Sequence, residues 1–424
     1  MALQIKPKNL DRYRWIALFM GMVVISTCAL GYTWSLLVEP MIELRGATDA
    51  GMAGVYTGLT VTAAIFTIIG GKLIDKIGSA KVIFSGIIAM LIGMLMCGMS
   101  ESFAAFAFAQ VIVIAWQQAV IYIACMNTAE QLFPDYRGVA VSLTATGLAI
   151  GGMWIAPFTQ GLIDSMGFSQ MFIVEGIVLA VIGCIALIFF PDCPKGYRPA
   201  GIKEVEEDVT QGGRVRLNPD FVQKDWKMML KDPAFYLLFF IPLFASSGYM
   251  LLSYQLAYIA EEILTIDAMT AAFLVSGISL MGIVCLVVSP IADRFGRMKI
   301  IVVLLFFGTL SMAGLVFSES HGIVWFAVCS FVYCFCLGAF AGIHPAVIGD
   351  YFGSEHFGFN YSLNYMSILL AAAVSPWLAV FGGDTGSYAN TFMVCAVLCG
   401  IAFILAIVIL KYKGNNIEYI RVKK

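Results

Sequence analysis

Long apolar stretches of about twenty residues or more alternate with short polar breaks along almost the whole chain. The first runs from about Trp15 to Val38. Others follow at about Met52–Ile74, Val82–Met99, Phe103–Ala129, Val139–Ile163 and Phe168–Phe190. From Pro191 to Asp232 the pattern breaks into charged sequence punctuated by proline and glycine, beginning Pro191-Asp192-Cys193-Pro194-Lys195-Gly196-Tyr197-Arg198-Pro199. Apolar stretches then resume at about 234–260, 269–291, 299–317, 322–348, 359–381 and 389–410. A helix crosses a bilayer with ~20 apolar residues, and a barrel would show short alternating segments instead. The expected fold is therefore an all-α membrane protein with twelve transmembrane helices. Two six-helix bundles, residues 1–190 and 233–424, flank a linker at 191–232. The first run is too long for a signal-peptide core and has no small-residue cleavage site after it, so it is expected to be the first span. Near the linker's end, Asp225 to Leu230 reads as a short helix on the membrane surface with Trp226 and Met229 toward lipid.

Composition agrees with this reading. Apolar residues make up 60% of the chain and charged residues 12%, and the mean hydropathy is +0.90, which excludes a soluble globular protein. The 11 cysteines fall mostly within apolar runs, with no CxxC and no histidine beside them, and read as small buried hydrophobes. No P-loop, zinc spacing or nucleophile constellation occurs, so neither enzymatic chemistry nor an ATP motor is expected, and no cofactor or metal is called for. Nucleic acid is not an expected partner. The expected partners are the lipid bilayer, a small-molecule solute and protons, with the chain a monomer.

Charge gives an orientation. Of the 25 Lys and Arg residues, all but Arg45 fall in the N-terminal segment, the turns after the even-numbered spans, the linker or the tail. The opposite turns are acidic (Glu39, Glu43, Glu101, Glu261, Glu262). By the positive-inside rule both termini and the linker are expected on the cytoplasmic side of a cell inner (plasma) membrane.

The chain is also duplicated. Gly71-Lys72-Leu73-Ile74-Asp75-Lys76-Ile77-Gly78 returns as Ser289-Pro290-Ile291-Ala292-Asp293-Arg294-Phe295-Gly296-Arg297, with the acids 218 positions apart. A second pair, Glu130–Gly138 and Asp350–Gly358, repeats at an offset of 220. Parallel six-span halves place a solute site near the midplane between them, reached alternately from either side.

The repeated turn resembles the loop between the second and third helices in each half of a major facilitator superfamily transporter. That resemblance implies a gating role for Gly71, Asp75, Lys76, Gly78, Asp293, Arg294, Gly296 and Arg297. It narrows with Gly31-Tyr32-Thr33-Trp34-Ser35-Leu36, Asn127-Thr128-Ala129-Glu130-Gln131-Leu132-Phe133-Pro134-Asp135-Tyr136-Arg137-Gly138, Pro194-Lys195-Gly196-Tyr197 and Phe359-Asn360-Tyr361. Taken in order, these are similar to the oxalate:formate antiporter family, relatives of the monocarboxylate transporters. The resemblance implies an aromatic-walled cavity for small carboxylates, with Tyr32, Tyr122 and Tyr365 on its wall. Where such carriers place an arginine on span 8 this chain has Cys285, and where oxalate carriers place a lysine on span 11 it has Ile368. No Lys or Arg stands at mid-span. Either the solute is neutral, zwitterionic or carried as its protonated acid, or an anion is held by neutral donors and half-helix dipoles.

Polar residues inside spans supply the remaining candidates. In Trp116-Gln117-Gln118, Gln118 shares a face with Tyr122 and is expected on the solute path, with Gln117 bonding a neighbouring helix. Ser246, Ser247, Tyr249 and Asn364 are further donors. Glu175 is the acid set well inside a span and, with His344, a candidate for proton coupling. Gly147, Gly151, Gly152, Gly338 and Gly342 suggest close sliding contacts between the halves. Together these imply a secondary transporter of a small organic solute, a monocarboxylate or related acid, working by proton symport or anion exchange. The alternatives are a carrier of a neutral or zwitterionic solute and a transporter-like ligand sensor.

Overall fold

The computed structural model describes residues 10–133, 136–194, 197, 214–216, 223–264, 274, 277–278, 280–284, 287–353, 355–385, 387–413 and 419–421. In the first half the helices are α1 (Leu10–Ser26), α2 (Trp34–Arg45), α3 (Asp49–Ile77), α4 (Ser79–Met99), α5 (Phe103–Phe108), α6 (Ala115–Leu132), α7 (Arg137–Met166) and α8 (Phe168–Ile188). The second half has α9 (Trp226–Lys231), α10 (Pro233–Leu264), α11 (Val288–Phe295), α12 (Arg297–Leu315), α13 (Ser318–Phe352), α14 (Phe357–Thr385) and α15 (Ala389–Lys413). Two three-residue strands, β1 (Arg214–Arg216) and β2 (Tyr419–Arg421), pair antiparallel. Among the described residues, ten helical stretches are long and apolar enough to cross a membrane. The protein is a multi-pass all-α membrane protein.

Among the described residues of the first half, two spans are not regular α-helices. The first breaks after Ser26, and residues Ala29–Thr33 form a 3₁₀ turn before α2 begins. Local chemistry accounts for the break. The Ser26 and Thr27 hydroxyls donate to the carbonyls of Val23 and Val24 at 2.8 and 2.7 Å, competing with the helical ladder as Ser and Thr side chains do. Between α5 and α6, residues Ala109–Ile114 widen into a π-helix. Such irregular backbone survives in hydrocarbon where it is buried or lines a cavity.

The duplicated turns have matching backbones. Gly78 (φ 92°) ends α3 and Gly296 (φ 107°) ends α11, a region that L side chains adopt only under strain. Their N–H groups donate to Ile74 and Ala292 carbonyls at 3.0 and 2.9 Å. Each turn reaches into the other half. A Cβ on Gly358, at the start of α14, would meet Asp75 Oδ1 at 2.6 Å, and one on Gly138, at the start of α7, would lie closer still to Asp293 Oδ1. Each acid thus faces the positive N-terminal end of the partner half's fifth span. Asp75 also accepts from the Phe359 N–H.

The two turns differ four residues on. Arg297 is 3% exposed and donates from Nε to Asp293 Oδ1 (2.8 Å) and from Nη1 to Asp350 Oδ2 (2.6 Å). In the first half Ser79 stands there instead, and Asn127 Nδ2 donates to its hydroxyl at 3.0 Å.

α3 and α14 stay in contact along most of their length. Gly71 sits against Ser362. Thr67 Oγ1 donates to the Ser362 carbonyl (3.3 Å), and Thr57 to that of Ala373 (3.3 Å). On the other flank Ser142 of α7 is hydrogen-bonded to Ser289 of α11, and Gly342 of α13 packs on Ser142. The end of the seam carrying the duplicated turns is therefore closed. Gly147 and Gly151 correct the sequence expectation: a Cβ there would meet the Met22 and Ser26 carbonyls at 2.5 and 2.4 Å. They seat α7 against the first span of its own half, not against the other half.

The linker's ends are tied down. Asp192 accepts from the Ala80 N–H at 2.8 Å, capping α4, and Tyr197 donates to Asp11. Burial pushes the Asp192 carboxyl above its usual value, against the pull of the Ala80 and Ser79 N–H groups and Lys81. At the far end Lys224 pairs with Asp232 at 2.6 Å, its carbonyl accepts from Asn360 Nδ2 (2.8 Å), and its N–H donates to the Phe352 carbonyl (3.0 Å). The helix α9 forms as expected, capped by Asp225. Trp226 is exposed as expected, but Met229 is fully buried against the bundle and Met228 takes the exposed position instead.

Candidate functional site

A cavity of about 150 Å³ lies at the seam between the halves. Its polar wall comes from α6 (Gln118, Tyr122), α7 (Ser142, Thr146), α10 (Tyr249, Ser253), Ser289 and, on α14, Tyr365. Small residues, among them Gly31, Gly338 and Gly342, make the space. The helical period explains the α6 face, since Gln118 and Tyr122 are one turn apart. Tyr122 and Tyr365 stack across the seam with centroids 4.8 Å apart and planes at 18°, an aromatic contact between the two halves. Tyr361 flanks Tyr365 at 5.8 Å. Among the described residues no Lys, Arg, Asp, Glu or His lines this cavity. Its polar groups are hydroxyls and one amide, and the Ser253 hydroxyl is buried without a hydrogen-bond partner.

A second chamber of about 40 Å³ opens inside the first half. Its polar wall is Tyr56, Gln110, Gln117, Gln118 and Glu175, and it shares Cys28, Gly31 and Gln118 with the seam cavity.

The sequence candidates therefore separate. Gln118, Tyr122, Tyr249 and Tyr365 meet on one wall. Ser247 lies off it and donates to the Phe244 carbonyl at 2.8 Å. Asn364 is also off the wall, fully buried with both amide atoms unpartnered. Tyr32 falls in the 3₁₀ turn, with its side chain outside the described residues, and Cys285 lies outside them altogether. Gln117, expected to bond a neighbouring helix, lines the second chamber with its side chain against the Cys28 thiol of the first span. Glu175 is 1% exposed and accepts from Thr159 Oγ1 at 2.8 Å. His344 is packed beside Phe340 (5.2 Å), with Nε2 3.3 Å from the Leu238 carbonyl, and borders neither space. Of the turn residues, Lys76 and Arg294 are exposed, whereas Gly71, Gly296 and Arg297 are buried.

Sequence reasoning missed Ser142, Ser289, Ser253 and Thr146. They are single hydroxyls in apolar helices, and only the approach of the halves makes two of them a pair. It also missed the broken first span, although Ser26-Thr27 beside Gly31 carries the local signal.

A family model described as Major Facilitator Superfamily matches residues 15–333 and 286–418. The oxalate:formate antiporter of Oxalobacter formigenes is 24% identical over 417 residues, covering 96% of this chain and 93% of that protein. An uncharacterized MFS-type transporter of Escherichia coli, YhjX, is 22% identical over 365 residues, covering 85% and 86%. Among solved structures, the proton:xylose symporter XylE superposes with a TM-score of 0.75 at 11% identity, covering 96% of both chains. The human organic anion transporter MFSD10 gives 0.69 at 15% identity, covering 95% and 100%.

Proposed function

The chain belongs to the major facilitator superfamily, a family of transporters and not enzymes, and from that premise we propose that it carries a small organic acid by alternating access, as a proton symporter or an anion exchanger. The observation that carries the reading is the seam cavity. At about 150 Å³ it is smaller than the roughly 300–1,000 Å³ of sites for drug-sized ligands. An apolar cavity of about this volume holds benzene, so the fit is to a solute of few heavy atoms. The oxalate:formate antiporter, similar over nearly the whole chain, moves solutes of that size.

A carboxylate would be bound without a fixed cation. Gln118, Tyr249, Ser253 and one of the stacked tyrosines supply donors, and a hydrogen bond to a charged group contributes about 1.5–3 kcal/mol. Four such bonds are of the same order as the several kcal/mol lost when a carboxylate leaves water. The closed end of the seam, rich in Lys and Arg, is on this reading the cytoplasmic side. Gly71, Asp75, Asp293 and Arg297 form the latch that opens when the halves rock.

The uncharged wall also favours a second reading, a neutral or zwitterionic solute on the same fold. Counterflow in proteoliposomes decides between them. Labelled formate and oxalate should exchange against the same acids inside, whereas alanine and xylose should not. Exchange of the neutral or zwitterionic probes alone would overturn the acid assignment. Ligand-induced stabilisation with no exchange of any probe would mark a sensor.

A further inference from the structure

The second chamber is a built space. Both irregular stretches of the first half converge on it: the 3₁₀ turn contributes Leu30, Gly31 and Thr33, and the π-helical stretch contributes Gln110 and Ile114. Broken backbone at membrane depth is tolerated where it lines a watered cavity, and π-bulges concentrate at functional positions. About 40 Å³ accommodates roughly three waters at 10–15 Å³ of probe-occupied space each. Gln117, 1% exposed, lies on this wall with its side chain against the Cys28 thiol, and its Nε2 makes no well-formed hydrogen bond within the protein. A buried amide in that position calls for water.

Glu175 lines the chamber. Its Oε1 accepts a hydrogen bond from Thr159 Oγ1 at 2.8 Å. Among the described residues, the helices packed on α8 bring no cation to it. α4 contributes Met94 to the chamber, and its Cys97 sulfur, off the wall, accepts from Gln110 Nε2 at 3.8 Å. From α7 comes the Thr159 hydroxyl, and from the first span Cys28. Tyr56 stands on the wall from α3. Arg45 is engaged elsewhere: it lies over the Phe168 and Phe172 rings (5.5 and 5.9 Å) and donates from Nη2 to the Cys97 carbonyl at 2.8 Å. A carboxylate buried without a cation is costly, and taking up a proton removes that cost.

We propose that Glu175 is the proton-binding site of this carrier, loaded by water that reaches it from the solute cavity through the side chamber at Gln118. A hydronium in the chamber gives its proton to Oε2, leaving a water behind, while Oε1 keeps the Thr159 bond; release reverses the step. Gln118 faces both spaces, so a solute bound to its amide alters the water contact of the carboxyl. The coupling rests on the transport reading above, whereas the proton site does not.

Two measurements test it on the full-length protein. In detergent, pH-difference infrared spectroscopy should show the carbonyl stretch of a protonated carboxyl that titrates in wild type. The band should be absent in Glu175→Gln and shifted in frequency in Thr159→Val, which removes the hydrogen bond and keeps the acid. A titrating band unchanged in both variants, or none in wild type at any pH, overturns the proposal. In proteoliposomes with formate as probe, uptake by Glu175→Gln should no longer be stimulated by an inward proton gradient, and a thermal melting midpoint close to that of wild type reports that the variant is folded. Full stimulation in that variant overturns the coupling. The infrared arm uses no solute, so it still decides the proton site if the acid assignment fails.

Discussion

Gly71 offers a quantitative test of the latch. On α3 it lies so close to α14 that a Cβ would meet the Gly358 carbonyl oxygen at 2.9 Å and the Ser362 side chain at a shorter distance still. The hydroxyl can rotate away; the carbonyl belongs to the first turn of α14 and cannot. Gly71→Ala therefore overpacks the closed seam, at about 1–3 kcal/mol, and leaves the opened one without the clash. The ratio of open to closed should rise roughly 5- to 150-fold. The assay is the labelling rate of a cysteine placed at Ser289, beneath the closed end, by an impermeant maleimide added on the latch side, with the parent protein's own thiols as background. Gly54→Ala is the control: it lies on the same helix, and a Cβ there meets nothing within 4 Å. Equal labelling of Gly71→Ala and wild type would refute the reasoning, as would equal acceleration by Gly54→Ala, which would reduce the effect to helix propensity.

Removing Arg297 should destabilise the protein much more than an exposed charge would. Arg297→Gln strands Asp293 and Asp350, and breaking a buried ion pair costs about 3–5 kcal/mol; thermal melting beside the exposed Arg294→Gln checks it. Gln118→Ala should weaken solute binding roughly 10- to 150-fold, one charge-assisted hydrogen bond, measured as the half-saturating concentration in counterflow. Ser247→Ala should leave that concentration unchanged, because its hydroxyl is spent on the Phe244 carbonyl.

What the sequence made legible follows from what is local. Hydropathy finds spans because each satisfies its own backbone in lipid, and the repeated acid-to-glycine turn was readable because its φ requirement is written as glycine at positions 78 and 296. The face shared by Gln118 and Tyr122 needed only the helical period. Tertiary matters were hidden. Gly147 and Gly151 look alike whether they abut the same half or the other one. Neither Met228 nor Met229 announces which will face the bundle. The pairing of Ser142 with Ser289 joins positions 147 apart in the chain. The side chamber needed two backbone irregularities to coincide, and an apolar run such as 103–114 gives no sign of a π-turn.

Tyr197 is pinned to Asp11 in one half, while β1 pairs with the tail that follows the other half's last span. The two anchors lie on either side of residues 198–213 in the chain. The seam is thus held as a dimer interface would be, by close-packed glycines, serine and threonine hydroxyls, two acids set against helix N-termini and a stacked tyrosine couple.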